Sequence, residues 1–110
     1  MNLDDLELFK QIDRQNIRAQ IDGLPDQLQS AWDLAQTLPL PKFDDIQNII
    51  LSAMGDSGSA AELVVASVFS SLSLPVSVHR GYGLPASATD KTLVVCLSHS
   101  GNSEEVLDAF

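Results

Sequence analysis

Thr92-Leu93-Val94-Val95-Cys96-Leu97-Ser98-His99-Ser100-Gly101-Asn102-Ser103-Glu104-Glu105 decides how this chain folds. Its first six residues are almost continuously apolar or β-branched, the pattern of a strand covered on both faces and hence of a parallel sheet. The next six are small, hydroxyl-bearing or turn-forming, and the acidic pair after them suits the first turn of a helix. Strand, tight loop and helix in that order are the unit of α/β folds.

Reading upstream supplies the rest of the sheet. Asn48-Ile49-Ile50-Leu51-Ser52-Ala53 is a second short apolar run, ending in Met54-Gly55-Asp56-Ser57-Gly58-Ser59, and Val76-Ser77-Val78-His79 is a third. Between them the spacing predicts a helix from about Ser59 to Ser71, with Leu63, Val64, Ser67, Val68 and Ser71 on one face and Leu74-Pro75 as its stop. A Gly-, Pro- and Ala-rich loop from Gly81 to Ala88 leads into the last strand. Strand, helix, strand, loop, strand, helix predicts a parallel sheet with right-handed crossovers.

Composition shifts at Pro39-Leu40-Pro41, which separates a helical leader (1–41) from the sheet domain (42–110). In the leader, Leu24, Leu28, Ala31, Trp32 and Ala35 recur at three- and four-residue spacing, marking an amphipathic helix from near Pro25 to before Pro39. Ile17 and Ile21 mark a shorter helix stopping at Gly23. Packing against a sheet explains the stripe, and Trp32 then reads as core.

The 110 residues fit one ordinary domain, and 45% hydrophobic residues supply a packed core. The net charge of −9, from 15 Asp and Glu against 6 Lys and Arg, argues against nucleic acid, since Lys10, Arg14, Arg18, Lys42, Arg80 and Lys91 are scattered. Met1 to Phe9 carries Asp4, Asp5 and Glu7 where a secretory signal needs basic residues and an apolar stretch. No run is long enough to span a bilayer. One cysteine, Cys96, allows no disulfide within the chain, and a cytoplasmic protein is expected. At mid-strand Cys96 reads as buried and inert. No metal-ligand cluster is visible, and no cofactor is expected.

Two loops carry the chemistry, because ligands in open α/β sheets sit beyond the carboxyl ends of strands. In the second, small residues let backbone N–H groups converge on an anion, the Ser98, Ser100 and Ser103 hydroxyls add donors, and the next helix presents its positive end. A phosphate is then held without lysine. The same residues also read as a plain turn and helix cap, with Asn102 capping and Glu105 reaching back. In the first loop Asp56 puts a negative charge where an anion would lie, so either it points away or the loop contacts sugar hydroxyls. His99 is either a general acid or base or a flanking residue facing solvent. Arg80 either reaches a bound anion or lies on the surface.

The chain resembles the amino-terminal part of bifunctional phosphoglucose/phosphomannose isomerases, in the sugar isomerase (SIS) domain superfamily. The residues that carry this are Leu24-Pro25-Asp26-Gln27-Leu28, the run Ile49 to Ser57, Val78-His79-Arg80-Gly81-Tyr82-Gly83-Leu84-Pro85 and, most specifically, Ser98 to Glu105. The resemblance implies a partial SIS domain, flavodoxin-like and three-layered, after the helical leader. It implies that Ser98, Ser100 and Ser103 bind the phosphate of a hexose phosphate with the backbone of Gly101 and Asn102, and that Gly55 and Ser57 help hold the sugar. Arg80, His99 and Glu105 are auxiliary candidates. Ala53 and Asp56 stand where the family has glycines, and His99 where it usually has an aromatic ring. Family chemistry interconverts aldose and ketose phosphates through an enediol, using a glutamate and a histidine that the resemblance places beyond Phe110.

Three strands where the superfamily has five, and a last helix without a closing signal, lead to the expectation that the chain is a fragment that binds but does not catalyse alone. A homodimer is expected, with neither nucleic acid nor membrane as partner. The alternatives are a non-catalytic phosphosugar-sensing module, disfavoured by the acidic leader, and an inactive fragment.

Overall fold

A computed structural model describes residues 6–110. Met1–Asp5, part of the segment whose acidity argues against a signal peptide, lie outside the described residues. The chain divides into two compact units, Met1–Pro41 and Lys42–Phe110.

The first unit contains α1 (Leu6–Ile12), α2 (Ile17–Asp22) and α3 (Leu24–Thr37). The sequence patterning anticipates α2 and α3 but not α1. The Asp13 carboxylate accepts from the Ile17 and Arg18 N–H groups at 2.7 and 2.9 Å, satisfying donors that the first turn of α2 leaves open. Gly23 joins α2 to α3 in a right-handed conformation (φ −85°), so the chain bends straight into the next helix, with Pro25 in its first turn. The core position expected for Trp32 is not observed: Trp32 is 65% exposed and Leu28 72%. Within its unit the stripe meets α2, and six residues cannot cover a 14-residue helix.

The second unit is α/β. Strands β1 (Asn48–Ala53), β2 (Val76–His79) and β3 (Thr92–Leu97) form one parallel sheet in the order β2-β1-β3. Ile49 pairs with Val76 and Leu93, and Ser52 with His79 and Cys96. All three strands coincide with the apolar runs read from the sequence. The core lies on β1, where Ile50 and Ala53 are fully buried. Burying one isoleucine side chain contributes about 2 kcal/mol.

Helix α4 (Gly55–Val68) packs on β1 and β2 and continues into a short 3-10 turn, Phe69–Ser71. It begins four residues before the expected Ser59, so what reads as the first glycine-serine loop is its first turn. The packing face is also different. Gly58 and Ala61 are buried, whereas Leu63 and Val64 are exposed. Small residues prevail because the helix lies very close to the sheet: a Cβ on Gly58 would stand 3.1 Å from the Ala53 carbonyl oxygen.

The last helix, α5 (Glu104–Ala109), packs on β1 and β3 and buries Val106. Every residue of β3 is half-buried, including Cys96, which corrects the expectation of a strand and a thiol buried on both sides. No helix among the described residues is long and apolar enough to cross a membrane.

Candidate functional site

The strand order places the site. From β1 the chain crosses through α4 to β2 on one side, and then returns to place β3 on the other side of β1. Such a reversal opens a crevice at the carboxyl ends of the two strands between which it occurs. Both chemistry-bearing segments leave the sheet there, one after β1 and one after β3. A groove of about 670 Å³ lies along them, lined by Ser57, Ala60, Ala61 and Val64 of α4, Leu51 of β1, Val95, Cys96 and Leu97 of β3, and Ser98 and His99. Ser57 and Ser98, 41 positions apart in sequence, thus face one space. The lining is largely apolar, with hydroxyls at the strand ends.

Ser98 is the hub of the second segment. Its Oγ lies 3.1 Å from Ser103 Oγ and 3.4 Å from Ser100 Oγ, and accepts from the Gly101 N–H at 3.0 Å. Ser100 Oγ in turn accepts from the Asn102 N–H at 3.2 Å. The turn closes because Gly101 adopts φ +68°, in the left-handed region where a side chain is strained. Three rotatable hydroxyls therefore converge, and each can turn its proton toward an acceptor. The Gly101 and Asn102 N–H groups, expected to point at an anion, donate to serine oxygens instead, so the hydroxyls are the leading donors.

The cap differs from the expected capping box. Ser103, not Asn102, occupies the N-cap position of α5, and no side chain caps the helix because the Ser103 hydroxyl is near Ser98. Glu104 and Glu105 occupy the first turn, where carboxylates complement the helix dipole. Asn102 and His99 are exposed, Glu105 is half-buried, and His99 stands at the rim of the groove.

The first segment is held from outside. Gly55, at φ +51°, turns the chain from β1 into α4, and Asp56 follows in the exposed first turn. Arg80, just beyond β2, aims its guanidinium at α4 and not at the serine cluster. Nε and Nη2 donate to Glu62 Oε1 and Oε2 at 3.1 and 3.0 Å, Nη2 also to Ser59 Oγ at 3.1 Å, and Nη1 to the Gly55 carbonyl at 3.3 Å. A Cβ on Gly58 would lie 2.8 Å from Arg80 Cζ, so this glycine makes room for the guanidinium.

Two residues later the same segment grips the other helix. The Tyr82 hydroxyl donates to Glu104 Oε2 at 3.0 Å, and the Gly83 N–H donates to Asp108 Oδ2 at 2.6 Å. The phenol pKa is raised above the ordinary tyrosine value, chiefly because the neutral hydroxyl donates to Glu104, then by desolvation and by the charges of Glu105 and Asp108. Glu62, Tyr82, Gly83 and Asp108 do not stand out as site residues in the sequence. The available signal is the run Arg80-Gly81-Tyr82-Gly83, in which two side chains able to bond carboxylates alternate with glycines. Among the described residues no group of three or more His, Cys, Asp or Glu is arranged to hold a metal ion.

No family model matches the chain. No solved structure matches it either. Against curated proteins, the chain is 36% identical over 89 residues to the bifunctional phosphoglucose/phosphomannose isomerase of Caldicellulosiruptor bescii, an alignment covering 80% of this chain and 26% of that protein. The chain thus spans about a quarter of the length of the curated relative it matches. Identity at this level across four fifths of the chain, together with a parallel α/β unit in the sheet region, makes this protein a relative of the bifunctional phosphoglucose/phosphomannose isomerases.

Proposed function

We propose that the chain forms the phosphosugar-binding part of an aldose-ketose isomerase of the SIS type, acting between glucose 6-phosphate or mannose 6-phosphate and fructose 6-phosphate. One observation carries this reading: the Ser100 and Ser103 hydroxyls gather on that of Ser98 at the end of β3, and Ser98 lines a groove shared with Ser57. In this reading the three hydroxyls take the phosphoryl oxygens, while the Gly101 and Asn102 N–H groups hold the Ser98 and Ser100 oxygens in place. Ser57 and Gly55 meet the sugar. Neutral donors suit a chain with few cations, because phosphate needs hydrogen bonds as well as counter-charge.

One imidazole, His99, lines the groove. In this reading these segments bind and orient the sugar phosphate, and the glutamate and histidine that move the proton through the enediol are supplied elsewhere in the full-length enzyme. A cytoplasmic setting, a homodimer, and the division into a leader (1–41) and a phosphosugar-binding domain (42–110) belong to the same proposal.

The test is a titration with glucose 6-phosphate and fructose 6-phosphate while the amide resonances of residues 98–105 are recorded. Saturable shifts in that segment and at Ser57 are expected. No shift at millimolar ligand would overturn the reading.

A further inference from the structure

Resting on the phosphosugar reading, we infer that Arg80 is a positioning residue: from the end of β2 it fixes the turn that carries Ser57, and so sets the contact with the sugar independently of the phosphate. The contacts bracket Ser57 closely. On one side Arg80 holds the Gly55 carbonyl, on the other the Ser59 hydroxyl, and one turn further the Glu62 carboxylate. Gly58, the residue next to Ser57, leaves the space that the guanidinium fills. None of these bonds touches the Ser98 cluster, which is closed by its own hydroxyls and N–H groups.

The Arg80–Glu62 pair is solvent-accessible, with side chains 35% and 56% exposed, so its Coulomb attraction alone is worth little. Its value is geometric. A planar guanidinium bonds a carboxylate with two parallel N–H groups while its third nitrogen reaches the Gly55 carbonyl, a fork that lysine cannot reproduce. The first turn of α4 lacks a side-chain cap, and Arg80 holds it in a different way, by donating to the Gly55 carbonyl, the Ser59 hydroxyl and the Glu62 carboxylate.

The consequence is a selective loss. A hexose phosphate touches both segments, whereas inorganic phosphate needs only the serine cluster. Affinities of the full chain for glucose 6-phosphate and for inorganic phosphate are to be measured by amide shifts for wild type, Arg80→Met and Arg80→Lys, well below each variant's melting temperature. Arg80→Met is expected to weaken glucose 6-phosphate roughly tenfold, the scale of one or two lost hydrogen bonds, and to leave inorganic phosphate within about twofold. Arg80→Lys recovers only part of the loss. Equal weakening of both ligands, or of neither, would overturn the role of Arg80 while leaving the phosphosugar reading intact. A wild-type chain that binds neither ligand overturns that reading, and the role of Arg80 with it.

Discussion

The segments after β1 and β3 have similar compositions, glycine and serine with one acidic or amide residue and, in the second, His99, yet they fold in opposite ways. Residues 55–59 are the opening turn of a 14-residue helix, braced from another strand by Arg80. Residues 98–103 remain a loop that serine oxygens tie to itself. Local composition therefore does not choose the structure. Packing does: Gly58 brings the first segment within contact of the Ala53 carbonyl, whereas Gly101 has open space around it and is needed for its φ of +68°. One glycine is selected by volume and the other by backbone conformation.

Filling the first glycine breaks the comparison most severely. Gly58→Val drives a side chain against the Arg80 guanidinium and the Ala53 carbonyl, and is expected to cost about 2–3 kcal/mol in urea unfolding. An unchanged midpoint would mean that α4 can lift from the sheet without loss.

Ser98→Ala removes the hub of the second segment. Inorganic phosphate and glucose 6-phosphate should both bind roughly tenfold more weakly, since about 1–2 kcal/mol goes with the lost hydroxyl and its neighbours. Ser57→Ala should weaken only the sugar phosphate, by a few-fold. If the two serine variants behave alike, the two segments do not divide the ligand between them.

Gly101→Ala keeps the space and changes only the backbone, so about 1 kcal/mol of left-handed strain is expected in the same unfolding assay. A loss as large as that for Gly58→Val would remove the distinction between volume and conformation.

The smallest effect concerns Tyr82, the counterpart of Arg80 on α5. Its folded-state pKa is raised, so its contribution is complete below the ordinary tyrosine value and is lost as pH climbs through the raised folded value. Because it is the only tyrosine in the chain, alkaline absorbance reports it alone. The midpoint should lie above that of free tyrosine, and Tyr82→Phe should remove the alkaline decline in stability attributable to this group. An ordinary midpoint would show that the Glu104 contact is not kept in solution.

How far the sequence reveals this arrangement depends on whether local pattern or distant contact governs each element. The three strands are legible to the residue because short apolar runs end in strong turn signals. The span of α3 is legible too, from Pro25 and the stripe. The start of α4 is not: Gly55, Asp56, Ser57, Gly58 and Ser59 all favour turns, and the contacts that make them helical come from Ala53 and Arg80. Its packing face is misread for a related reason, since hydrophobic spacing points to Leu63 and Val64 while close approach favours Gly58 and Ala61. Exposure of Trp32 follows from what surrounds the stripe, which its periodicity does not specify. In the candidate site, Ser98, Ser100 and Ser103 are visible as a motif. The grip of Arg80 and Tyr82 on carboxylates 18 and 22 positions away is not.

Among the described residues, both outer strands of the sheet leave one row of backbone donors and acceptors without a neighbouring strand, and β3 is half-buried along its whole length. Such an edge invites pairing between copies. The net charge of −9 sets a repulsion against that approach, and it fades as pH falls toward the isoelectric point near 4.2. The same acidity thus opposes edge-to-edge association near neutrality and lets it grow in mild acid.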